Sequence, residues 1–201
     1  MHVHIIYTGG TIGMVDSPHG LVPGADLEGW LDSLLEGTPL ARSVSVTSLA
    51  PLIDSSNATP LSWQAIVDDL RAHAAADPQA SFVILHGTDT MAYTSAALSY
   101  ALTDLSVPIV VTGSQLPLGE LGTDAAANVT GALKAATSGR LSGVALFFGH
   151  RLLAGNRVTK SSSWAFTGFE SPNAAPLATT GAPWQWAPCT RGGAGWNDAA
   201  R

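Results

Sequence analysis

Three turns rich in glycine and hydroxyl groups hold the residues best suited to chemistry. They read Thr8-Gly9-Gly10-Thr11, Gly87-Thr88-Asp89 and Gly113-Ser114-Gln115. A threonine hydroxyl is a weak nucleophile unless a base or a charged partner assists it, and the N–H groups of a glycine turn can stabilise an oxyanion. The pattern is compatible with acyl transfer at Thr11, although the first turn taken alone favours a plain structural turn.

A dinucleotide-binding loop is another interpretation of the first turn. The Rossmann fingerprint needs three glycines at fixed spacing, and here Gly10 and Gly13 fit while Thr8 stands at the first position. Pro18 intervenes before any helix begins, and no acidic residue ends the next strand to bind a ribose. These departures argue against a nucleotide cofactor.

Asp89 and Lys160 carry the charges that the hydroxyls need. Asp89 follows Thr88 at the end of an apolar run, where it can cap the next helix or bind a substrate ammonium group. Lys160 is one of only two lysines in the chain. An amine buried near carboxylates and hydroxyls can have a lowered pKa and act as a base, whereas most lysines are solvated at the surface.

The elements that must position these residues alternate between strands and helices. Strand patterns cover residues 3–7, 43–49, 82–86, 109–112 and 144–148, and helical patterns cover 26–36, 90–102, 124–136 and a segment that begins at Ser62. This alternation predicts a three-layer α/β fold, a mostly parallel sheet with helices on both faces. Ligands bind beyond the carboxyl ends of the strands in such sheets, which is where the three turns lie.

The sequence resembles the bacterial L-asparaginase family, and its cytosolic type I branch in particular. The two signature motifs of the family are matched by Tyr7-Thr8-Gly9-Gly10-Thr11-Ile12-Gly13-Met14 and His86-Gly87-Thr88-Asp89-Thr90-Met91-Ala92-Tyr93. The resemblance continues through residues 54–57, 111–117, 155–160 and 169–173. It implies a catalytic domain over residues 1–178, and we expect a poorly ordered Pro/Gly/Trp-rich tail over residues 179–201.

The resemblance implies an amidohydrolase that converts L-asparagine to L-aspartate and ammonia. Thr11 matches the primary nucleophile, which forms an acyl-enzyme. Thr88, Asp89 and Lys160 match a second threonine triad, in which the lysine assists proton transfer. No metal or organic cofactor is implied.

The same resemblance implies the groups that bind the substrate. Ser55 and Ser56, with Asn57 beside them, match the segment that holds the α-carboxylate, and Asp89 matches the group that binds the α-ammonium. The backbone around Ser114 matches the wall near the leaving amide. Thr88 also belongs to this binding set.

Two departures from the family pattern make reduced activity an alternative. Leu21 stands where the family has a mobile tyrosine, and leucine cannot donate a hydrogen bond to Thr11. The family also has a smaller second α/β domain, whereas this chain ends about 28 residues after Asn173. A natural short form, a fragment and a truncated gene product all stay open, as do a weakly active or inactive amino-acid binder and an amidase that prefers glutamine.

Charge and composition narrow the possible partners. The formal charge is −6 and no Lys/Arg cluster occurs, so neither nucleic acid nor an anionic membrane surface is an expected partner. Cys189 is the only cysteine, and the longest apolar runs are far too short to span a membrane. We therefore expect a cytoplasmic protein, and the resemblance implies a homo-oligomer, either a dimer or a tetramer.

A metal site is not expected from the sequence. His2 and His4 alternate on one face of the first strand, but no third ligand is evident. Two histidines without further ligands seldom form a site.

Overall fold

The structure, a computed structural model, describes residues 2–188. Residues 189–201 of the predicted tail, which include Cys189, lie outside the described residues. The strands are β1 (Val3–Tyr7), β2 (Met14–Ser17), β3 (Gly20–Pro23), β4 (Val44–Ser48), β5 (Ser81–Leu85), β6 (Pro108–Thr112), β7 (Gly143–Phe148), β8 (Arg151–Ala154), β9 (Thr159–Lys160), β10 (Phe169–Glu170), β11 (Ala178–Thr179) and β12 (Gln185–Trp186). The helices are α1 (Leu27–Leu35), α2 (Pro60–Ala76), α3 (Met91–Ala101) and α4 (Ala125–Ala136).

Eight strands form one sheet, and its central strands run parallel. The order is β12-β11-β8-β7-β6-β5-β1-β4. Strands β4, β1, β5, β6 and β7 are parallel to one another, while β8, β11 and β12 extend the sheet in antiparallel pairs. Every residue of β1 and β5 is buried, as the uninterrupted apolar runs of a doubly covered sheet require.

Helices cover both faces of the sheet, which confirms the predicted three-layer α/β fold. Side chains alternate between the two faces along a strand. Ile5 and Tyr7 therefore pack with α1 and α4 in one apolar core, and Ile6 packs with α2 and α3 in the other. No helix within residues 2–188 is long and apolar enough to cross a membrane.

The helix termini follow local hydrogen-bonding rules. Asp26 caps α1 as predicted, because its Oδ1 accepts a hydrogen bond from the Gly29 N–H at 3.0 Å. Helix α2 begins at Pro60, two residues before the predicted start at Ser62. Proline is tolerated in the first helical turn, and the Ser62 hydroxyl accepts from the Thr59 N–H at 3.1 Å.

Part of the predicted tail is ordered, in contrast to the expectation for residues 179–201. Strand β11 pairs with β8, and β12 pairs with β11, so the chain as far as Trp186 extends the main sheet. The Trp184 ring stacks on Phe147 with 5.6 Å between ring centroids, and Lys134 Nζ lies 5.1 Å from the Trp184 ring. The packing of Trp184 supplies stabilisation that the Pro/Gly/Trp-rich composition did not predict.

Candidate active site

A polar cavity of about 260 Å³ opens at the carboxyl ends of the parallel strands. Its walls come from the turns after β1, β5 and β6, the segment after β4, and the β9–β10 region. The lining residues are Gly10, Thr11, Met14, Asp54, Ser55, Gly87, Thr88, Asp89, Gln115, Lys160 and Ser163. All four predicted catalytic residues are among them, so the fold brings together side chains that are up to 149 positions apart in the sequence.

The Thr11 turn depends on two glycines. Gly9 and Gly10 have backbone φ angles of 122° and 101°, which residues with a side chain rarely adopt. A Cβ on Gly10 would overlap the backbone of Gly87, and a Cβ on Gly9 would overlap the Ile53 carbonyl. The two signature turns therefore touch through backbone alone, and this contact fixes Thr11 relative to Thr88.

Thr11 begins a one-turn 3-10 helix, Thr11–Gly13, at the floor of the cavity. Its side chain is partly exposed and makes no hydrogen bond to another residue within 2–188. An unbonded hydroxyl facing a cavity is available to a substrate.

Lys160 joins the second threonine to the carboxylate. Its Nζ donates to Thr88 Oγ1 at 2.9 Å and to Asp89 Oδ1 at 2.9 Å. The Lys160 side chain is 17% exposed and that of Asp89 is 60% exposed. Lys160 therefore lies on the shielded side of the pair, and Asp89 lies on the solvent side. Asp89 does not cap α3, because Thr90 occupies the N-cap position.

Gln115 completes this group of hydrogen bonds. The Thr88 hydroxyl accepts from Lys160 and donates to Gln115 Oε1 over a long 3.4 Å. Gln115 Nε2 donates to the Ala165 carbonyl at 3.0 Å, which ties it to the loop that carries Ser163. Gln115 and Ser163 were not among the predicted site residues, although Gln115 lies next to the predicted Ser114.

Ser114 itself does not line the cavity. It is buried, and its hydroxyl donates to the Leu116 carbonyl. The Asp124 carboxylate accepts from the N–H groups of Gln115, at 3.0 Å, and of Leu116, at 3.2 Å. The residues around Ser114 thus shape the loop that presents Gln115.

Of the predicted substrate-binding residues Ser55, Ser56 and Asn57, only Ser55 lines the cavity. Ser55 is buried against Gly87, and its carbonyl accepts from Thr90 Oγ1 at 2.8 Å. Ser56 and Asn57 are exposed and bond to Asp54 instead, through Ser56 N at 3.0 Å and Asn57 Nδ2 at 2.8 Å. These hydrogen bonds, those of Ser56 foremost, hold the pKa of the Asp54 carboxyl below its usual value. Asp54, not Ser56 or Asn57, faces the cavity.

A buried hydrogen-bond relay lies behind the second motif. Trp63 Nε1 donates to Thr94 Oγ1 at 3.1 Å, Thr94 Oγ1 lies 3.0 Å from His86 Nε2, and His86 Nδ1 lies 2.7 Å from the Gly87 carbonyl. An indole only donates and a carbonyl only accepts. The Gly87 carbonyl therefore places a ring proton on Nδ1, and in the neutral tautomer of His86 the Thr94 hydroxyl donates to Nε2 while it accepts from Trp63.

Burial favours the same protonation state. Desolvation by burial lowers the pKa of His86 and outweighs the hydrogen bond to the Gly87 carbonyl, which acts in the opposite direction. The relay links α2, α3 and the end of β5 to the Gly87 peptide, directly before Thr88. The sequence pattern assigned Trp63 to helix packing and gave no signal for this role.

Leu21 lies outside the cavity. It is on β3, 46% exposed, and β2–β3 forms a hairpin beside the Thr11 turn. Two N–H groups at the end of the hairpin, those of Gly24 and Ala25, donate to the Gly13 carbonyl at 3.1 Å. Met14 is the hairpin residue that lines the cavity. Among residues 2–188, no tyrosine lines this cavity.

Known proteins show the same combination of sequence and fold. The family model for the N-terminal domain of asparaginases matches residues 2–188. The chain is 45% identical to L-asparaginase 1 of Escherichia coli, over 89% of this chain and 53% of that protein. It is 39% identical to a 60 kDa lysophospholipase of Mus musculus, over 88% of this chain and 35% of that protein.

A solved structure agrees with these matches. The crystal structure of L-asparaginase I from Vibrio cholerae superposes with a TM-score of 0.81 at 42% identity, covering 92% of this chain and 56% of that one. The chain spans about half the length of the L-asparaginases that it matches. With a family model that covers nearly all of the described residues, the chain belongs to the asparaginase family and corresponds to its N-terminal domain.

Proposed function

We propose that this chain hydrolyses the side-chain amide of L-asparagine through an acyl-enzyme on Thr11, releasing ammonia and L-aspartate. The observation that carries the proposal is the position of Lys160 Nζ, 2.9 Å from both Thr88 Oγ1 and Asp89 Oδ1 in a cavity that Thr11 also lines. Family membership and the similarity to L-asparaginase 1 of Escherichia coli support it.

The first half-reaction forms the ester. Thr11 Oγ1 adds to the amide carbon, the C–N bond breaks, and the leaving nitrogen departs as ammonia with the proton that the hydroxyl has lost. N–H groups of the two touching glycine turns are the candidates for stabilising the oxyanion.

The second half-reaction hydrolyses the ester. Water adds to the ester carbon and gives its proton to the Thr88–Lys160 pair, the bond to Thr11 Oγ1 breaks, and Thr11 regains a proton. The Asp89 carboxylate, 2.9 Å from Lys160 Nζ, stabilises the positive charge that this pair gains in the step.

Size and charge favour a small zwitterion as the substrate. The cavity holds about 260 Å³, which fits an amino acid rather than a drug-sized ligand. Asp89 Oδ1 is engaged by Lys160, and the exposed Oδ2 is free to accept from an ammonium group. Ser55 lies on the cavity wall for the α-carboxylate.

The test is ammonia release from purified protein at millimolar asparagine and glutamine. Thr11→Val removes the nucleophile at nearly constant volume and is expected to abolish turnover with folding kept. Thr103→Val, at an exposed position outside the cavity, is the matched control and is expected to keep wild-type turnover. No turnover by the wild-type chain would contradict the catalytic proposal, and faster turnover of glutamine would contradict the preference for asparagine.

A non-catalytic amino-acid binder is the second candidate. The Thr11 hydroxyl has no side-chain base bonded to it within residues 2–188, and Leu21 replaces the tyrosine that the family resemblance leads one to expect. Saturable binding of aspartate by calorimetry, without ammonia release, would favour this candidate over the enzyme.

We further propose that the protein acts as a cytoplasmic homo-oligomer, a dimer or a tetramer. The resemblance to the cytosolic branch of the asparaginase family and the family match support this proposal. Sedimentation equilibrium measures the mass in solution, and a monomer that turns over asparagine would contradict the homo-oligomer.

A further inference from the structure

Asn128 on α4 is buried, and every polar atom of its side chain is paired. Its Nδ2 donates to the Gly113 carbonyl at 2.9 Å and to Asp124 Oδ2 at 2.9 Å. Its Oδ1 accepts from the Gly149 N–H at 3.2 Å. A backbone carbonyl only accepts and a backbone N–H only donates, so the amide has one possible orientation. Asn128 thus joins α4 to the turn after β6 and to the turn between β7 and β8.

Asp124 carries this arrangement to the main chain of Gln115. Its carboxylate accepts from the Gln115 N–H with both oxygens, at 3.0 and 3.1 Å, and from the Leu116 N–H at 3.2 Å. Asn128 is the side chain that donates to Oδ2. A buried carboxylate is costly unless its oxygens have donors. The orientation of this carboxylate, and with it the main chain of Gln115, therefore depends on Asn128.

Gly149 connects Asn128 to the loop that holds the Gln115 side chain. Gly149 has a φ angle of 53°, and a Cβ there would overlap the Phe166 carbonyl, so this turn lies against the backbone of the loop after β9. In the same loop, the Ala165 carbonyl accepts from Gln115 Nε2 at 3.0 Å. Asn128 therefore positions Gln115 at both ends, the main chain through the carboxylate and the side chain through the loop.

Gln115 in turn sets the direction of the Thr88 hydroxyl. The Ala165 carbonyl only accepts, so Gln115 Nε2 faces it and Oε1 faces Thr88. A hydroxyl has one proton and two lone pairs. The proton points to Gln115 and one lone pair accepts from Lys160, which leaves the second lone pair. Because Thr88 lines the cavity, this lone pair is available to a water molecule there.

We propose that Asn128 is a positioning residue that keeps the Thr88 hydroxyl an acceptor toward the cavity. The inference rests on the proposed function, in which the Thr88–Lys160 pair takes a proton from the water that hydrolyses the ester. The contact from Thr88 to Gln115 Oε1, at 3.4 Å, is long for a hydrogen bond between two oxygens, so a small displacement of Gln115 breaks it. The hydroxyl then rotates and directs its proton at the water. Loss of Asn128 therefore slows the second half-reaction more than the first.

The test is Asn128→Leu, which keeps a similar volume and removes the hydrogen bonds to Gly113, Asp124 and Gly149. Rapid-quench measurement of ammonia release from asparagine separates the two half-reactions. We expect a burst of ammonia equal to the enzyme concentration, followed by steady-state release at least about tenfold slower than in the wild type. Intact mass spectrometry is expected to detect the aspartyl ester that accumulates. Thr130→Val, on the exposed side of the same helix, is the matched control and is expected to behave as the wild type.

Gln115→Met tests the same pathway at its other end. It keeps the backbone hydrogen bonds to Asp124 and removes the acceptor for Thr88, so we expect the same burst. Adding Asn128→Leu to it is expected to lower kcat no further, because no Gln115 side chain is left to position. Additive losses in the double variant would overturn the proposal. So would wild-type kinetics in Gln115→Met, a result that holds even if Asn128→Leu does not fold.

Amide hydrogen exchange, followed by NMR, tests the positioning without turnover. The N–H groups of Gln115 and Leu116 are expected to exchange slowly in the wild type and in Thr130→Val, and faster in Asn128→Leu. If exchange differs in this way but the wild type releases no ammonia, the proposed function fails and the positioning of Gln115 stands. Equal exchange in the wild type and Asn128→Leu would overturn the positioning.

Discussion

At the residue scale, Lys160 has the two neighbours that a proton-transferring amine needs. Its Nζ donates to the Thr88 hydroxyl and to the Asp89 carboxylate. The lysine is largely shielded while Asp89 faces solvent. In the proposed mechanism, Thr88 passes the proton and Asp89 both stabilises the ammonium form and binds the substrate, so one charged pair serves binding and chemistry.

Replacing Lys160 by methionine separates these two functions. Lys160→Met keeps the length of the side chain but removes the base, so we expect kcat to fall by about 10²- to 10⁴-fold. Steady-state ammonia release measures kcat and KM. Lys134→Met is the matched control, because Lys134 contacts Trp184 far from the cavity and should keep its kcat. An unchanged kcat in Lys160→Met would remove Lys160 from the mechanism.

At the element scale, the relay from Trp63 to His86 holds α2, α3 and the end of β5 in one arrangement. All of its partners are paired only while His86 is neutral. Buried networks of this kind rigidify a site when every member is paired and become costly when one is missing. Gly87, which follows His86, is the residue that touches Gly10.

Thr94→Val tests the relay at nearly constant volume. It leaves the Trp63 N–H and His86 Nε2 without partners, and each unpaired buried group costs about 1–3 kcal/mol. We expect a lower free energy of unfolding in urea and a lower kcat, with both restored in Thr94→Ser, which keeps the hydroxyl. If Thr94→Ser is as impaired as Thr94→Val, methyl packing rather than the hydroxyl is responsible.

The relay also makes stability depend on pH. The pKa of His86 is lowered in the folded chain, whereas a histidine in an unfolded chain titrates near 6.5. Above about pH 6.5 both states are neutral and His86 has no effect. Below it the unfolded state binds the extra proton, so the folded state loses stability as pH falls.

Urea unfolding at pH 7.5 and 5.5 measures this loss. We expect the wild type to lose more stability over that interval than His86→Gln, which has no titrating ring. Equal losses in the two proteins would assign the acid sensitivity to other groups.

The central elements could be predicted from the sequence, but the short ones could not. Strands β1 and β5 are buried apolar runs that pack on both faces, so their pattern is local. Strands β11 and β12 have two residues each and exist only because β8 and the Trp184 stack provide partners. Contacts between distant segments leave no periodicity in the sequence.

The site residues likewise include some that could be predicted from the sequence and some that could not. Thr11, Thr88 and Asp89 follow from motifs at strand ends of the main sheet, and Lys160 follows from its motif on β9, in the separate β9–β10 pair. Ser56 and Asn57 do not face the cavity, because hydrogen bonds to Asp54 set the orientation of that turn. Such an orientation depends on individual hydrogen bonds rather than on residue type.

At the scale of the whole molecule, an antiparallel extension continues the sheet beyond the parallel core. Trp184 is its main anchor: it stacks on Phe147, contacts Trp186 and lies beneath Lys134. Within the described residues, this antiparallel extension is therefore packed as part of the same sheet as the parallel strands.

Trp184→Ala is expected to lower the free energy of unfolding by about 1–3 kcal/mol, because a large partly buried ring is lost. Chemical denaturation monitored by circular dichroism measures the change. Trp164→Ala is the matched control, since Trp164 is 83% exposed and its removal should leave stability within about 0.5 kcal/mol. Equal stability of both variants would show that the extension adds nothing to the core.

The contact between Gly10 and Gly87 has a consequence for how this site can evolve. A Cβ on Gly10 would overlap the Gly87 backbone, and a Cβ on Gly87 would overlap the Ser55 side chain and press on Gly10, so neither position can accept a larger residue unless its neighbours move away. The two signature motifs are thereby constrained as one unit, although 76 positions separate these glycines in the sequence. Substitutions that change the chemistry of this site therefore have to occur around the glycine pair, on the loops that carry Asp54, Gln115 and Ser163.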